Sequence, residues 1–284
     1  IESYDSYEGL LKRNDIDAVY VSLPIGLHKE WAIKSAENGK HAICDKSLAD
    51  NFNDVKEIIE IFKNNNLKLT ENIMIKNHPQ HYKVLEMTNE GKIGKIFSFK
   101  SSFGHAPLGK NDIRYKKELK NGILNDVACY PIFISRLLFN EEPINVDCNL
   151  FVNENEVDIK GSVKLEFTEG KTAFFDFGFD NFYQNKYEIW GSEGLIRVNK
   201  AYSIDENTKP DIDYEYGYEK DKIIVDSVNQ YKETFDKFFL DIIEDRKSKF
   251  DEMIKIARVM EACRISSKEN RKVLLEEIGK NIGY

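Results

Sequence analysis

The chain has 284 residues, 41% hydrophobic and 12% aromatic, with a formal net charge of −8. That is enough apolar material for two domains of ordinary size, and the acidic balance excludes a basic nucleic-acid-binding face. No run approaches the roughly 18 apolar residues of a membrane span, no signal-peptide pattern opens the sequence, and four cysteines without C-x-x-C spacing predict a reduced, cytoplasmic protein with no metal site.

Residues 4–11 read as a short helix. Residues 17–23 are a continuous apolar run of strand length, suited to a strand buried on both faces, and Pro24 and Gly26 end it. Helical apolar spacing follows over 28–38, with Gly39 at the C-terminal cap. Residues 41–44 read as a second strand and 67–75 as a third. Between them, 53–64 is helical, with Val55, Ile58, Ile59 and Phe62 on one face. Strands alternating with helices over short links predict a parallel sheet with right-handed crossovers.

The pattern changes after residue 76. A helix over 79–90 precedes a strand over 95–103. Strands follow at 146–152, 157–167, 172–179, 187–190 and 195–198, with hairpin turns at Glu169-Gly170 and at 192–194. Consecutive strands at this spacing predict an antiparallel sheet. Residues 203–218 are acidic and tyrosine-rich, contain Pro210, and read as a loop. Helices over 230–245 and 251–268 close the chain. Apolar residues on both faces of the sheet, such as Phe174, Phe175, Phe177 and Phe179, predict that its uncovered face pairs with a second copy. Trp31, Trp190, Phe97, Phe99 and Phe103 are expected in the core. His78 and His81 sit three apart at a helix start with no third ligand nearby, which predicts packing or solvent-facing roles rather than a metal.

Several segments carry a family signature: D-I-D-A-V-Y-V-S-L-P-I-G-L-H over 15–28, G-K-H-A-I-C-D-K-S-L-A over 39–49, and E-N-I-M-I-K-N-H-P-Q over 71–80. D-I-R-Y at 112–115 and G-I-L-N-D-V-A-C-Y-P at 122–131 continue the series, as do Val157-Asp158 with Gly161, G-S-E-G at 191–194 and N-Q-Y at 229–231. In this order, along essentially the whole chain, they resemble the glucose–fructose oxidoreductase / inositol dehydrogenase (Gfo/Idh/MocA) family. The likeness is greatest to the branch that oxidises sugars and dihydrodiols. The fold it implies is α/β plus α+β. A partial Rossmann-type parallel sheet over 1–76 would hold the dinucleotide. A predominantly antiparallel open sheet over 77–284, with helices on one face, would serve substrate binding and self-association as a homodimer or higher oligomer.

The resemblance implies hydride transfer between NAD or NADP and a sugar-like alcohol. Lys46 lies just past a strand's carboxyl end, where ligands bind in open α/β sheets. Spacing alone makes it a surface lysine in a polar turn; the resemblance makes it the proton relay. Asp126 and Tyr130 are four apart on a predicted helix and share a face. Without the family, Asn125 or Asp126 equally caps the helix and Tyr130 packs beneath it; with it, the two are the substrate-site pair. Pro24 and His28 map to the turn near the nicotinamide, although a lone histidine after a strand is more often structural. Asp45 joins them through the lysine motif, and Glu71 is a cofactor-side or lysine-side carboxylate. Arg114 and Tyr115 are candidates to reach substrate. No metal is implied.

Two departures stand out. The family's Glu-Lys-Pro is Asp45-Lys46-Ser47 here, and serine predicts a trans peptide where proline is often cis. No G-x-G-x-x-G occurs among the 16 glycines, and only one of the two βαβαβ halves of a dinucleotide fold is legible. The sequence therefore reads as N-terminally truncated, with NAD(P) held weakly by this chain alone. The alternatives are an inactive binding or assembly subunit, and a piece of a longer enzyme.

Overall fold

A computed structural model of the chain describes residues 3–109 and 111–279. After a short helix α1 (Tyr7–Leu11), three strands form one parallel sheet in the order β1 (Ala18–Val21), β2 (His41–Asp45), β3 (Leu69–Asn72). The helices α2 (Ile25–Glu37) and α3 (Phe52–Asn64) are the crossovers. Local sequence sets their ends. Gly39 takes φ +71 just past α2, a conformation that costs a glycine nothing. Asn51 caps α3 by accepting the Asp54 N–H. Val55, Ile58, Ile59 and Phe62 of α3 pack with Ala42, Cys44 and Leu69 of the sheet into one core.

The second core lies under a nine-stranded sheet. Its strands are β4 (Ile96–Gly104), β5 (Asn145–Val152), β6 (Asp158–Glu166), β7 (Thr172–Gly178), β8 (Gln184–Gly191), β9 (Gly194–Val198), β10 (Asp211–Tyr216), β11 (Glu219–Ile224) and β12 (Val273–Leu274). The spatial order is β11-β10-β9-β8-β4-β7-β6-β5-β12. All its pairs are antiparallel except β4 with β7. Between those two strands the chain leaves the sheet through the helices α5 (Ile123–Val127) and α6 (Cys129–Phe139), and it returns by the β5–β6–β7 meander. The inner face is covered by α6 together with α8 (Phe250–Glu269), α8 packing on β5. The helix α4 (Pro79–Asn89) links the two sheets, and α7 (Gln230–Ile243) packs on the turn that follows β3.

The segment read as a loop over 203–218 instead contains β10 and pairs with β11 in a hairpin turning at Gly217. Ile212, Tyr214 and Tyr216 alternate with Asp211, Asp213 and Glu215, which is strand patterning. The acidic side chains are answered across the strands, Asp211 and Asp213 by Lys222 and Glu215 by Arg197. The phenylalanine series along and just past β7 divides between the two faces of the sheet. Phe175, Phe177 and Phe179 point into the core, and only Phe174 is exposed. Phe99 and Phe103 are core, whereas Phe97 and Trp190 lie exposed against each other with ring centroids 4.8 Å apart. His78 and His81 are both buried. His78 caps α4, and His81 Nδ1 lies 3.0 Å from the Tyr187 hydroxyl.

Candidate active site

The site forms where the carboxyl end of β2 meets the start of α5 and α6. Lys46 leaves β2 and extends to Asp126: its Nζ is 2.7 Å from Asp126 Oδ1 and also donates to the Asp126 carbonyl. Both side chains are 17% exposed. Asp126 lies in α5 and Tyr130 in α6, with the seam between the helices at Ala128. Pro131 has no N–H to give to the Val127 carbonyl, which accounts for the seam. The Tyr130 ring is buried, and the Lys46 ammonium stands 5.5 Å from its centroid.

Asp126 is a shared counter-ion. Arg114 Nε donates to its Oδ2 at 3.1 Å, and His105 Nε2 stands 3.8 Å from the same oxygen. Arg114 is held in turn by Asp112. Burial alone would raise the Asp126 pKa, but Lys46 and Arg114 outweigh it and the carboxyl titrates below its ordinary value. Burial also works against the Lys46 charge; Asp126 reverses this, so Lys46 holds its proton above the usual lysine range. Burial pushes the Tyr130 phenol up, against the pull of Lys46. Both groups are therefore protonated at neutral pH.

The lysine loop is tied down on every side. His28 is fully buried, with Nδ1 2.8 Å from the Ser47 carbonyl and Nε2 2.6 Å from the Leu23 carbonyl. Its imidazole thus sits between the Leu23-Pro24 turn and the lysine loop; burial lowers its pKa, and the neutral ring has one N–H to give to one of the two carbonyls. Glu71 is likewise buried and accepts the Leu48 N–H at 2.9 Å, which makes it a brace beneath the lysine loop. Asp45 Oδ1 accepts from the Tyr20 hydroxyl at 2.6 Å and from Asn72 Nδ2 at 3.0 Å. It therefore ties together the carboxyl ends of β1, β2 and β3. The Lys46–Ser47 peptide is cis, where serine predicts trans. Around it, the Ser47 hydroxyl donates to the Asn125 carbonyl.

Tyr115 donates its hydroxyl to Asp180 at 2.7 Å and sets its ring edge-on to Phe179. Two residues of the site have no role assigned from sequence, although Asp158 belongs to the family series. His105 lies just past β4 and is drawn to Asp126 only by the fold. Asp158, on β6, accepts the Leu124 N–H at 2.7 Å and so caps the helix carrying Asp126. Burial raises the Asp158 carboxyl to about 6. Gly122 is required beside it: φ is +126, and a Cβ there would meet Asp158 Oδ1 at 2.1 Å.

Comparison with known proteins places this geometry. Residues 1–73 match the oxidoreductase family model for an NAD-binding Rossmann fold, and residues 81–197 match the GFO/IDH/MocA C-terminal domain. A dTDP-3,4-didehydro-2,6-dideoxy-alpha-D-glucose 3-reductase from Actinomadura kijaniata is 30% identical over 94% of this chain and 82% of its own. The chain belongs to the Gfo/Idh/MocA oxidoreductase family. The 3-reductase of the same name from Saccharopolyspora spinosa is 37% identical over 71% of this chain, a match spanning 61% of that relative. The solved structure of KijD10, a 3-ketoreductase from Actinomadura kijaniata, in complex with NADP and TDP-benzene, superposes with a TM-score of 0.90 at 29% identity. That match covers 93% of this chain and 82% of KijD10.

The edge beside Lys46 suits a nicotinamide. His28 fixes Pro24 next to the lysine loop, and Tyr20, 39% exposed, adds an aromatic surface where β1 ends. A flat, partly apolar ring can rest on such a surface while its reacting face meets the polar cluster.

Proposed function

We propose that this protein reduces the keto group of a sugar-like substrate with NADPH or NADH, and runs the reverse oxidation of the carbinol. A bound nicotinamide supplies or accepts the hydride. The chain's own residues manage the proton. As the carbonyl carbon gains hydride, its oxygen gains an electron pair and must be protonated. Tyr130 offers the O–H, and the Lys46 ammonium stabilises the developing oxyanion beside it. Asp126 keeps Lys46 charged, and Arg114 fixes Asp126. The observation that carries this reading is Lys46 Nζ, 2.7 Å from Asp126 and 5.5 Å from the Tyr130 ring centroid. A site loaded with two protonated donors favours the reductive direction.

The substrate class follows from the relatives, two of which are named for a dTDP-linked keto-deoxyglucose. Asp126 and Arg114 are the groups placed to bind its hydroxyls. Residues 1–76 would serve the cofactor and 77–284 the substrate and self-association, a division supported by the two separate sheets. The outer face of the nine-stranded sheet, with Phe97, Trp190 and Phe174 exposed, would meet a second copy. The inactive-subunit reading has no comparable support, since its mark would be a dispersed Lys46, Asp126 and Tyr130.

The test is consumption of NADPH by the purified chain with dTDP-linked 3-keto sugars and with free aldoses. Turnover abolished by Lys46→Met supports the reading. Absence of turnover with every sugar and both cofactors, in protein that binds NADPH, overturns it.

A further inference from the structure

A proton donor has to be held within about 0.5 Å of its productive position. Among the described residues, no side chain or carbonyl takes the Tyr130 hydroxyl. What holds the ring is packing. Tyr202 stacks on it, with centroids 5.6 Å apart and planes at 15°. Phe103 closes a second side at 5.8 Å.

Tyr202 is itself immobilised. It is 0% exposed and follows β9, 72 residues beyond Tyr130 in the chain. Its backbone N–H donates to Asn185 Oδ1 at 2.8 Å, and its hydroxyl is 2.6 Å from Ser101 Oγ. Ser101 Oγ also donates to the Lys186 carbonyl at 3.1 Å. A hydroxyl has one proton and a carbonyl can only accept. The Ser101 proton therefore goes to Lys186, and Tyr202 must be the donor to Ser101. Its own proton is committed away from the site. The ring also touches Phe103 at 5.2 Å and Tyr187 at 6.3 Å. The arrangement runs from strands β4 and β8, through Ser101 and Asn185, to the face of Tyr130.

We infer that Tyr202 is a positioning residue for the reaction: an aromatic platform, anchored through Ser101, that fixes the plane of Tyr130 beside Lys46. It touches no substrate. The inference rests on the role proposed above for Tyr130.

Two measurements test it. The protein is labelled with ring-13C tyrosine, and the Tyr130 signals are identified by their loss in Tyr130→Phe. In the parent, Tyr130 should show a restrained ring. In Tyr202→Leu, its signals should shift and its ring flips accelerate. In Tyr202→Phe, which keeps the platform, they should stay close to the parent. In keto-sugar reduction, Tyr202→Leu should lower kcat about 100-fold, as a misplaced reacting group does, with KM little changed, and Tyr202→Phe should restore most of the loss. If Tyr202→Leu fails to fold, Tyr202→Met takes its place, with the same expectation. Unchanged Tyr130 ring dynamics in the folded variant overturn the inference. So does a loss in KM alone. A protein that turns over no sugar defeats the functional reading and leaves the ring measurement to decide this one.

Discussion

Lys46 and Asp126, eighty positions apart in the chain, meet at 2.7 Å with most of both side chains out of water. Burial by itself would strip the proton from Lys46, and the Asp126 carboxylate reverses that. The sign of the consequence is fixed. In the parent, Lys46 stays charged above the ordinary lysine range, so its deprotonation contributes no limb to activity at moderately alkaline pH. Asp126→Asn keeps the shape and removes the main group that offsets burial. The pH profile of kcat should then acquire a fall on its alkaline side at lower pH than in the parent. An Asp126→Asn profile superimposable on the parent's would remove Asp126 from this role. Lys46→Met should lower kcat by roughly 100- to 10,000-fold, the range for a lost acid–base group.

His105 approaches the same carboxylate from β4, 3.8 Å from the oxygen that Arg114 already holds. Burial depresses its pKa, partly offset by Asp126. As pH falls through that value, the imidazole becomes a third cation on Asp126, competing with Lys46 and Arg114. The expected result is an acid-side fall in kcat/KM, at lower pH than an ordinary histidine would give. His105→Asn should flatten it. An acid limb that persists unchanged in His105→Asn assigns it to another group.

How far the sequence reaches is clear from these residues. Lys46, Asp126 and Tyr130 are legible through the family resemblance, since spacing alone leaves Lys46 a surface lysine and Asp126 a helix cap; the one helix expected to carry Asp126 and Tyr130 is two, α5 and α6, meeting at Ala128. The three parallel strands are legible because each is a short apolar run bounded by its own turn residues. The roles of His105, Asp158 and Tyr202 are not legible, because each acts through a partner far away in sequence. For His28 and Glu71 the sequence leaves two roles open each, because their neighbours in sequence do not reveal that His28 lies between the Ser47 and Leu23 carbonyls and that Glu71 accepts the Leu48 N–H. The β10–β11 hairpin was hidden by acidic residues whose cross-strand cations lie in β9 and β11.

Buried His81 predicts an acid-side loss of stability. Burial lowers its pKa from 6.5 to about 3. The unfolded chain takes up a proton near 6.5 that the folded chain refuses, so stability falls as pH drops from 6.5 towards 3. Between pH 7 and 5 this one residue should contribute a loss of about 2 kcal/mol, at about 1.4 kcal/mol per unit. Urea unfolding of the parent and of His81→Gln at both pH values isolates it. The change between pH 7 and 5 should be smaller in the variant by that amount. An equal change in both proteins refutes the assignment.

The outer face of the large sheet predicts self-association. Phe97 and Trp190 are 40% and 51% exposed, Phe174 40% and Phe151 60%. Lys100 stands over the Trp190 ring and Lys164 over Phe174, at 5.9 and 5.7 Å from their centroids. A cleft of about 550 Å³ beside them is lined by Phe151, Phe182, Lys160 and Asp176. Aromatic rings interleaved with charges of both signs can satisfy an identical copy turned about a two-fold axis, because each lysine can find a carboxylate and each ring another ring. Sedimentation at micromolar concentration should therefore show a dimer or larger species. Trp190→Glu together with Phe174→Glu places four carboxylates in a two-fold interface and should weaken association at least about 100-fold, since buried unpaired charge costs several kcal/mol. Both positions lie outside the core, so the melting temperature of the isolated chain should hardly move. A parent that sediments as a clean monomer at that concentration leaves this face without its proposed partner.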